Sequence, residues 1–225
     1  MGDIADEHGR YESIGAPVYW IHGNNDNFDA IAAGDLPPDL HHIPNATVAV
    51  PAAAAAVAAP TAGVAAPTVA PPDAAVAASA AIRPASLRVA GLGGTFAPTW
   101  YDTRAAELPH PKKGTPKATE LADKRRHFVR GQVDQCKLLR DVDIFLTHEA
   151  PKPFRARPDN RGPDAGKIQI NEILAAMRPR LHLFGHHHRF SDEIREGVRS
   201  VGLDLVTQSY LLIDAASLDF RLEKR

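Results

Sequence analysis

The chain has 225 residues, 44% of them apolar, with 26 basic against 27 acidic side chains and a formal net charge of −1. That balance excludes a chain held on nucleic acid or a membrane by bulk electrostatics, and the single cysteine, Cys136, excludes an internal disulfide and a cysteine metal cluster. No stretch is both long and apolar enough to span a bilayer, and the acidic N-terminus lacks the apolar core of a signal peptide, so a cytoplasmic chain is expected.

The chain opens on Gly2-Asp3, with Asp6-Glu7-His8-Gly9 close behind. The run from Pro17 to Ile21 predicts a strand, followed by Gly23 and three polar side chains, Asn24, Asn25 and Asp26. Residues 27–33 read as a short helix that Asn25 or Asp26 is placed to cap. His41 and His42 fall in a proline-rich connection and read as surface residues. Thr47 to Val50 begins another strand.

Residues 51–84 are nearly all Ala, Pro, Val and Thr. Proline breaks the helix that alanine favours, and no large side chain is present to fill a core. The stretch reads as a disordered, polyproline-like insertion in a hairpin loop, within one domain spanning 1–225. Its flanks, 46–50 and 87–90, would be the paired strands. The glycines at 91, 93 and 94 invite comparison with a dinucleotide fingerprint, but Pro98 denies the helix that such a site requires. A turn of backbone close to a site is the better reading.

A long loop over 97–118 carries Trp100, Tyr101, Asp102, His110, Lys112 and Lys113. A helix is predicted over about 118–140, with Cys136 on its apolar side and a basic cluster of Lys124, Arg125, Arg126 and Arg130. Strand 143–147 ends at His148. A Pro- and Arg-rich loop over 151–166 precedes a helix from Lys167 to Met177, which Pro179 ends. Strand 180–185 runs into His186, His187 and His188. The runs 198–206 and 210–222 read as antiparallel strands closing a second sheet.

Three apolar strands therefore end on side chains able to ligate a metal. In open α/β sheets, sites form where the carboxyl ends of strands meet. Imidazoles at i and i+2, such as His186 and His188, can converge on one side of an extended or tightly turned backbone. Neutral imidazole suits Zn, Mn, Fe and Ni, and a buried histidine cluster without partners is costly. An exposed polar loop is the plain alternative.

Gly-Asn-x-Asp at 23–26, Thr-His at 147–148 and Gly-His-x-His at 185–188, in that order on strand ends, resemble the calcineurin-like metallophosphoesterase superfamily. The resemblance implies an α/β fold, a four-layer α/β/β/α sandwich of two mixed sheets. It implies a centre of two divalent metal ions (Mn, Fe, Zn or Ni, with Mn favoured) and hydrolysis of phosphate diesters by a metal-activated hydroxide. Asp3 would bridge the metals, Asn24, His148 and His186 would hold one, and His188 would bind the other. His187 would be outside the coordination sphere or exposed. Asn25 stands where the family often has a histidine able to act on the leaving oxygen, and Asp26 would orient its neighbours. An amide orients a phosphate oxygen but protonates nothing, which favours diesters with good leaving groups.

A competing reading takes Asp6-Glu7-His8-Gly9 as the family's first motif, Asp-x-His-Gly; with Asp3 as the bridging residue, the first strand and that motif are absent, and the second metal is short of ligands unless a side chain such as His8 substitutes. Residues 86–190 also resemble the RNA lariat debranching enzymes and their prokaryotic relatives, through 86–96, Tyr101-Asp102, 126–130 and 142–151. That likeness makes Arg126, His127 and Arg130 candidate phosphate contacts, and a nucleotide or RNA a candidate substrate. The C-terminal domain of that branch is lacking, which counts against debranching itself. No membrane and no obligate protein partner is expected. Two other readings remain: a degenerate, non-catalytic binding protein of this fold, and a nucleic-acid-binding module using Lys112, Lys113, Lys124, Arg125, Arg126 and Arg130.

Overall fold

A computed structural model describes residues 9–51, 86–110, 123–157 and 162–225. Asp3, His8, the 51–84 insertion apart from Pro51, Lys112 and Lys113 lie outside the described residues. In chain order the elements are β1 (Val18–Trp20), α1 (Phe28–Ala33), β2 (Leu40–His42), β3 (Val48–Pro51), β4 (Ser86–Leu92), β5 (Thr95–Phe96), β6 (His127–Phe128) and α2 (Arg130–Leu138). They continue with β7 (Ile144–Thr147), α3 (Ile168–Met177), β8 (Leu181–Phe184), β9 (Ser191–Arg195), β10 (Val198–Gly202), β11 (Ser209–Ile213) and β12 (Phe220–Lys224). The class is mixed α/β.

The central sheet has the order β3-β4-β7-β8-β10-β9. Strands β4, β7, β8 and β10 are parallel, and antiparallel β3 and β9 close the two edges. Interior parallel strands are covered on both faces, so they read as continuous apolar runs rather than alternating ones. Ile144–Thr147 and Leu181–Phe184 are buried at every position. The expected pairing across the insertion is present, with Val48 opposite Val89 and Pro51 opposite Ser86.

One face of the sheet is covered by α2 and α3. Val133, Cys136, Ile170, Ile173, Leu174 and Met177 pack there against Ala90, Leu92 and Phe145. Truncating one such fully buried aliphatic side chain costs about 2–5 kcal/mol. Burial pushes the Cys136 thiol up to about 12, which fits an apolar filler and not a nucleophile. On the other face, Ile21 and Ile43 beside β1 and β2, and Leu211, Ile213 and Phe220 of β11 and β12, pack on Val89, Ile144, Leu146, Leu181 and Leu183. A side chain at Gly91 would overlap Ile21 Cγ2, so glycine is what lets the β1 layer approach β4 closely. Among the described residues no helix is long and apolar enough to cross a membrane.

Three sequence expectations need correction. The helix expected over 118–140 begins only at Arg130. Ahead of it, Asp123 caps a single 3-10 turn over Lys124–Arg126 by accepting from Arg125 N, and His127–Phe128 pairs with β5 instead of joining a helix. The C-terminal strands do not form one further sheet: β10 joins the central sheet beside β8, and only β11 and β12 pair separately. Helix α1 is capped by Asn27, whose Oδ1 accepts from Ala30 N at 3.1 Å, while Asp26 turns to other work.

Candidate functional site

The parallel strands end in register. Leu92 is opposite Thr147, Thr147 opposite Phe184, and Phe184 opposite Gly202. The residues just beyond, Gly93, His148 and Gly185 with His186, therefore emerge side by side at one edge of the sheet. The β1 layer adds Asn24 to this edge. The loop after β1 is tied down by Gly94 N, which donates to His22 O at 3.0 Å. Asp26 is buried and its Oδ2 accepts from Gly23 N at 2.7 Å, which fixes the turn carrying Asn24.

Asn24 Oδ1 lies 3.0 Å from His148 Nε2, across 124 residues of sequence. The His148 and His186 rings are 4.6 Å apart between centroids. His148 is buried. Ligands of one ion, with bonds of about 2.1 Å at 90–110°, sit about 3.0–3.4 Å from one another. The amide oxygen and imidazole nitrogen have that spacing, and a mixed O/N donor set fits a divalent transition ion. Among the described residues no three His, Cys, Asp or Glu side chains converge on one point, so the cluster is two imidazoles and an amide.

His186 and His188 both adopt the left-handed backbone region, with φ of 68° and 48°. Such a conformation is uncommon for residues with a Cβ and costs of order 1–3 kcal/mol. Two within three residues mark a turn whose geometry is retained despite that cost. The turn is closed by His187 N donating to Gly185 O at 2.8 Å. With His148, the two histidines face a cavity of about 380 Å³. Asn25 is exposed and accepts from Asn24 Nδ2 at 3.2 Å.

His187 is half-buried and not exposed. Its ring lies against Phe154, and Nε2 is 3.9 Å from Glu149 Oε2. Burial, with His186, Lys167 and His188 adding to it, pushes His187 down to about 4. The imidazole is then neutral near pH 7, so its approach to Glu149 is no ion pair. The carboxylate finds its charge partner in Lys167, 3.6 Å away, and accepts from Phe96 N at 3.1 Å.

Arg126, His127 and Arg130 are each engaged by neighbouring residues. Arg126 Nε donates to Asp123 O at 3.0 Å, His127 Nδ1 is 3.0 Å from Thr95 Oγ1, and Arg130 Nε donates to Asp102 at 2.6 Å while its guanidinium lies over Tyr101. Arg126 also lines a polar groove with Asn24 and Asn25. Burial holds His127 below the usual imidazole range, offset in part by Thr95.

Sequence reasoning overlooked His22 and read His42 as a surface residue, yet their Nδ1 and Nε2 atoms are 3.1 Å apart. Burial, and then His42, push His22 down to about 4 against the pull of Asp26. A Cβ at Gly93 would stand 2.6 Å from the His22 ring, so the glycine after β4 makes room for it. The available signal was a histidine placed directly before Gly23, where the strand pattern calls for an apolar residue. Glu149 was legible too, as an acid directly following His148.

No protein-family profile and no curated protein matches the chain. Solved structures do. The chain is similar in fold to the crystal structure of TT1561 of Thermus thermophilus, with a TM-score of 0.50 and 14% identity over 92% of this chain and 72% of that one. A second crystal structure matches with a TM-score of 0.53 and 14% identity, over 93% of this chain and 66% of its own.

Proposed function

We propose that the chain is a metal-dependent phosphoesterase of the calcineurin-like metallophosphoesterase superfamily, acting on phosphate diesters. In its finer form the reading includes the four-layer α/β/β/α sandwich of that superfamily. The carrying observation is that His148 touches both Asn24 and His186, side chains that follow three separate strands. Asn24, His148 and His186 would hold one divalent ion, Mn by preference. His188 would contribute to a second, with Asp3. Bound there, such ions supply Lewis acidity and offset the charge that develops on the phosphoryl oxygens.

The chain's own residues define the rest. In hydrolysis, water adds to phosphorus, the ester P–O bond breaks, and a proton ends on the departing alcohol. Asn25, exposed beside Asn24, donates a hydrogen bond from its amide to a phosphoryl oxygen. It holds no transferable proton, so the leaving group departs with little help. Asp26 keeps the turn rigid through Gly23 N, which holds Asn24 in place. Diesters with good leaving groups are therefore the expected substrates.

The test is hydrolysis of bis(p-nitrophenyl) phosphate with Mn. Turnover that needs the metal and is lost in His186→Ala supports the proposal. Absence of metal-stimulated turnover sinks it. A second reading, a non-catalytic binder of phosphate ligands, is favoured by the lack of a third His or carboxylate in the described cluster. Metal content separates the two: about two ions per chain for catalysis, one or none for binding alone.

A further inference from the structure

We infer that the site takes an unsymmetrical phosphate diester, with one aromatic or aliphatic arm in an apolar cavity and a polar arm in a separate groove. The inference rests on the phosphoesterase reading and specifies its substrate class. Two clefts adjoin the Asn24–His148 contact, with His148 lining one and Asn24 the other. The cavity of about 380 Å³ has His148, His186 and His188 at its polar end. The remaining wall is mostly apolar: Phe190, Leu203, Leu205, Val206, Tyr210 and Leu211. Its volume falls in the range of small-molecule sites, about 300–1,000 Å³.

Charge decides what the cavity admits. Among the described residues that line it, Asp204 is the one carboxylate, and there is no lysine or arginine. Away from the histidine end, a second phosphate placed there would meet a carboxylate and no cationic side chain. An oligonucleotide backbone or a polyphosphate is disfavoured in this cleft, whereas an uncharged ring or alkyl chain gains by leaving water. Val206 is 65% exposed and Leu205 40%, so apolar surface stands at the cavity ready to be covered. The groove that Asn24 lines is of different character. It measures about 260 Å³ and is lined by Asn25, Asp26, Asp29, Asp123, Arg125 and Arg126. Arg125 is paired there with Asp29 and Asp123, leaving a polar surface that carries both signs of charge, with one more carboxylate than guanidinium.

The experiment is isothermal titration of the full chain, with Mn present, by 1-naphthyl methyl phosphate and by dimethyl phosphate. The naphthyl ester is expected to bind at least about tenfold more tightly. Val206→Asp, at an exposed position, is expected to remove most of that preference, read as the ratio of the two affinities. Equal affinity for the two esters, or a preference that survives both Val206→Asp and Leu205→Ser, overturns the inference and leaves the phosphoesterase reading standing. Binding of neither ester overturns both.

Discussion

His182 and His186 stand four residues apart, one inside β8 and one just past its end, and their surroundings differ in kind. His182 is fully buried between neighbouring strands, with Nε2 2.9 Å from Thr147 Oγ1 and Nδ1 3.1 Å from Ser200 Oγ. Burial pushes it down to about 3, so it is a neutral polar pin through the middle of the sheet. His186 has left the strand, sits at a positive φ, and lines a cavity beside His148 and His188. The same residue type serves cohesion in one place and a candidate metal centre in the other. What separates them is Gly185, the point where strand geometry stops.

The comparison breaks most visibly in stability. His182→Ala is expected to cost about 2–4 kcal/mol in urea unfolding, because it leaves a cavity and strips Thr147 and Ser200 of a shared partner. A loss under about 1 kcal/mol would mean the polar chain across β7, β8 and β10 is incidental. Gly91→Ala tests the close approach of the β1 layer that brings Asn24 to the site. It is expected to cost about 1–3 kcal/mol by overpacking against Ile21, and an unchanged unfolding midpoint would contradict the tight layer contact.

The buried histidine also gives a pH signature. His182 titrates at about 3 when folded and near its ordinary 6.5 when unfolded. Between those values the unfolded chain binds the extra proton, so stability rises with pH and its loss on acidification begins as pH falls below about 6.5. The slope is at most about 1.4 kcal/mol per pH unit for each such group. His22 and His187, both held near 4, add to it in the upper part of that window. Urea midpoints from pH 7 to 4 should therefore fall less steeply in His182→Gln than in the parent chain; parallel curves would remove His182 from the account. The smallest effect has the opposite sign. His186→Gly relieves a left-handed backbone strain and is expected to stabilise the fold by about 0.5–1 kcal/mol, while weakening any metal binding. Destabilisation by that change would show that His186 is held for packing.

The strand ends were readable because each is an apolar run stopped by a glycine or a histidine, a pattern carried by neighbouring residues alone. Ile144–Thr147 and Leu181–Phe184 fall where the sequence puts them. The 123–129 segment was not readable. Its Lys and Arg content suits a helix, yet a side-chain cap from Asp123 and pairing of β6 with β5 override that local preference. The placement of β10 beside β8 depends on which strand edge is open, and no local pattern records that. In the same way His42 reads as a surface residue until the β1 layer brings His22 to within 3.1 Å of it. Asn24 and His148 were legible as candidates, but their 3.0 Å contact spans two layers of the fold and belongs to tertiary structure.

The central claim is that Asn24, His148 and His186 hold a divalent ion in common. Equilibrium dialysis against Mn, followed by elemental analysis, tests it without requiring turnover. The account predicts about one or more bound ions per chain, with the tightest lost in both Asn24→Ala and His186→Ala while their unfolding midpoints stay near that of the parent. Retention of the same metal content by both variants, or none in the parent chain, would contradict it.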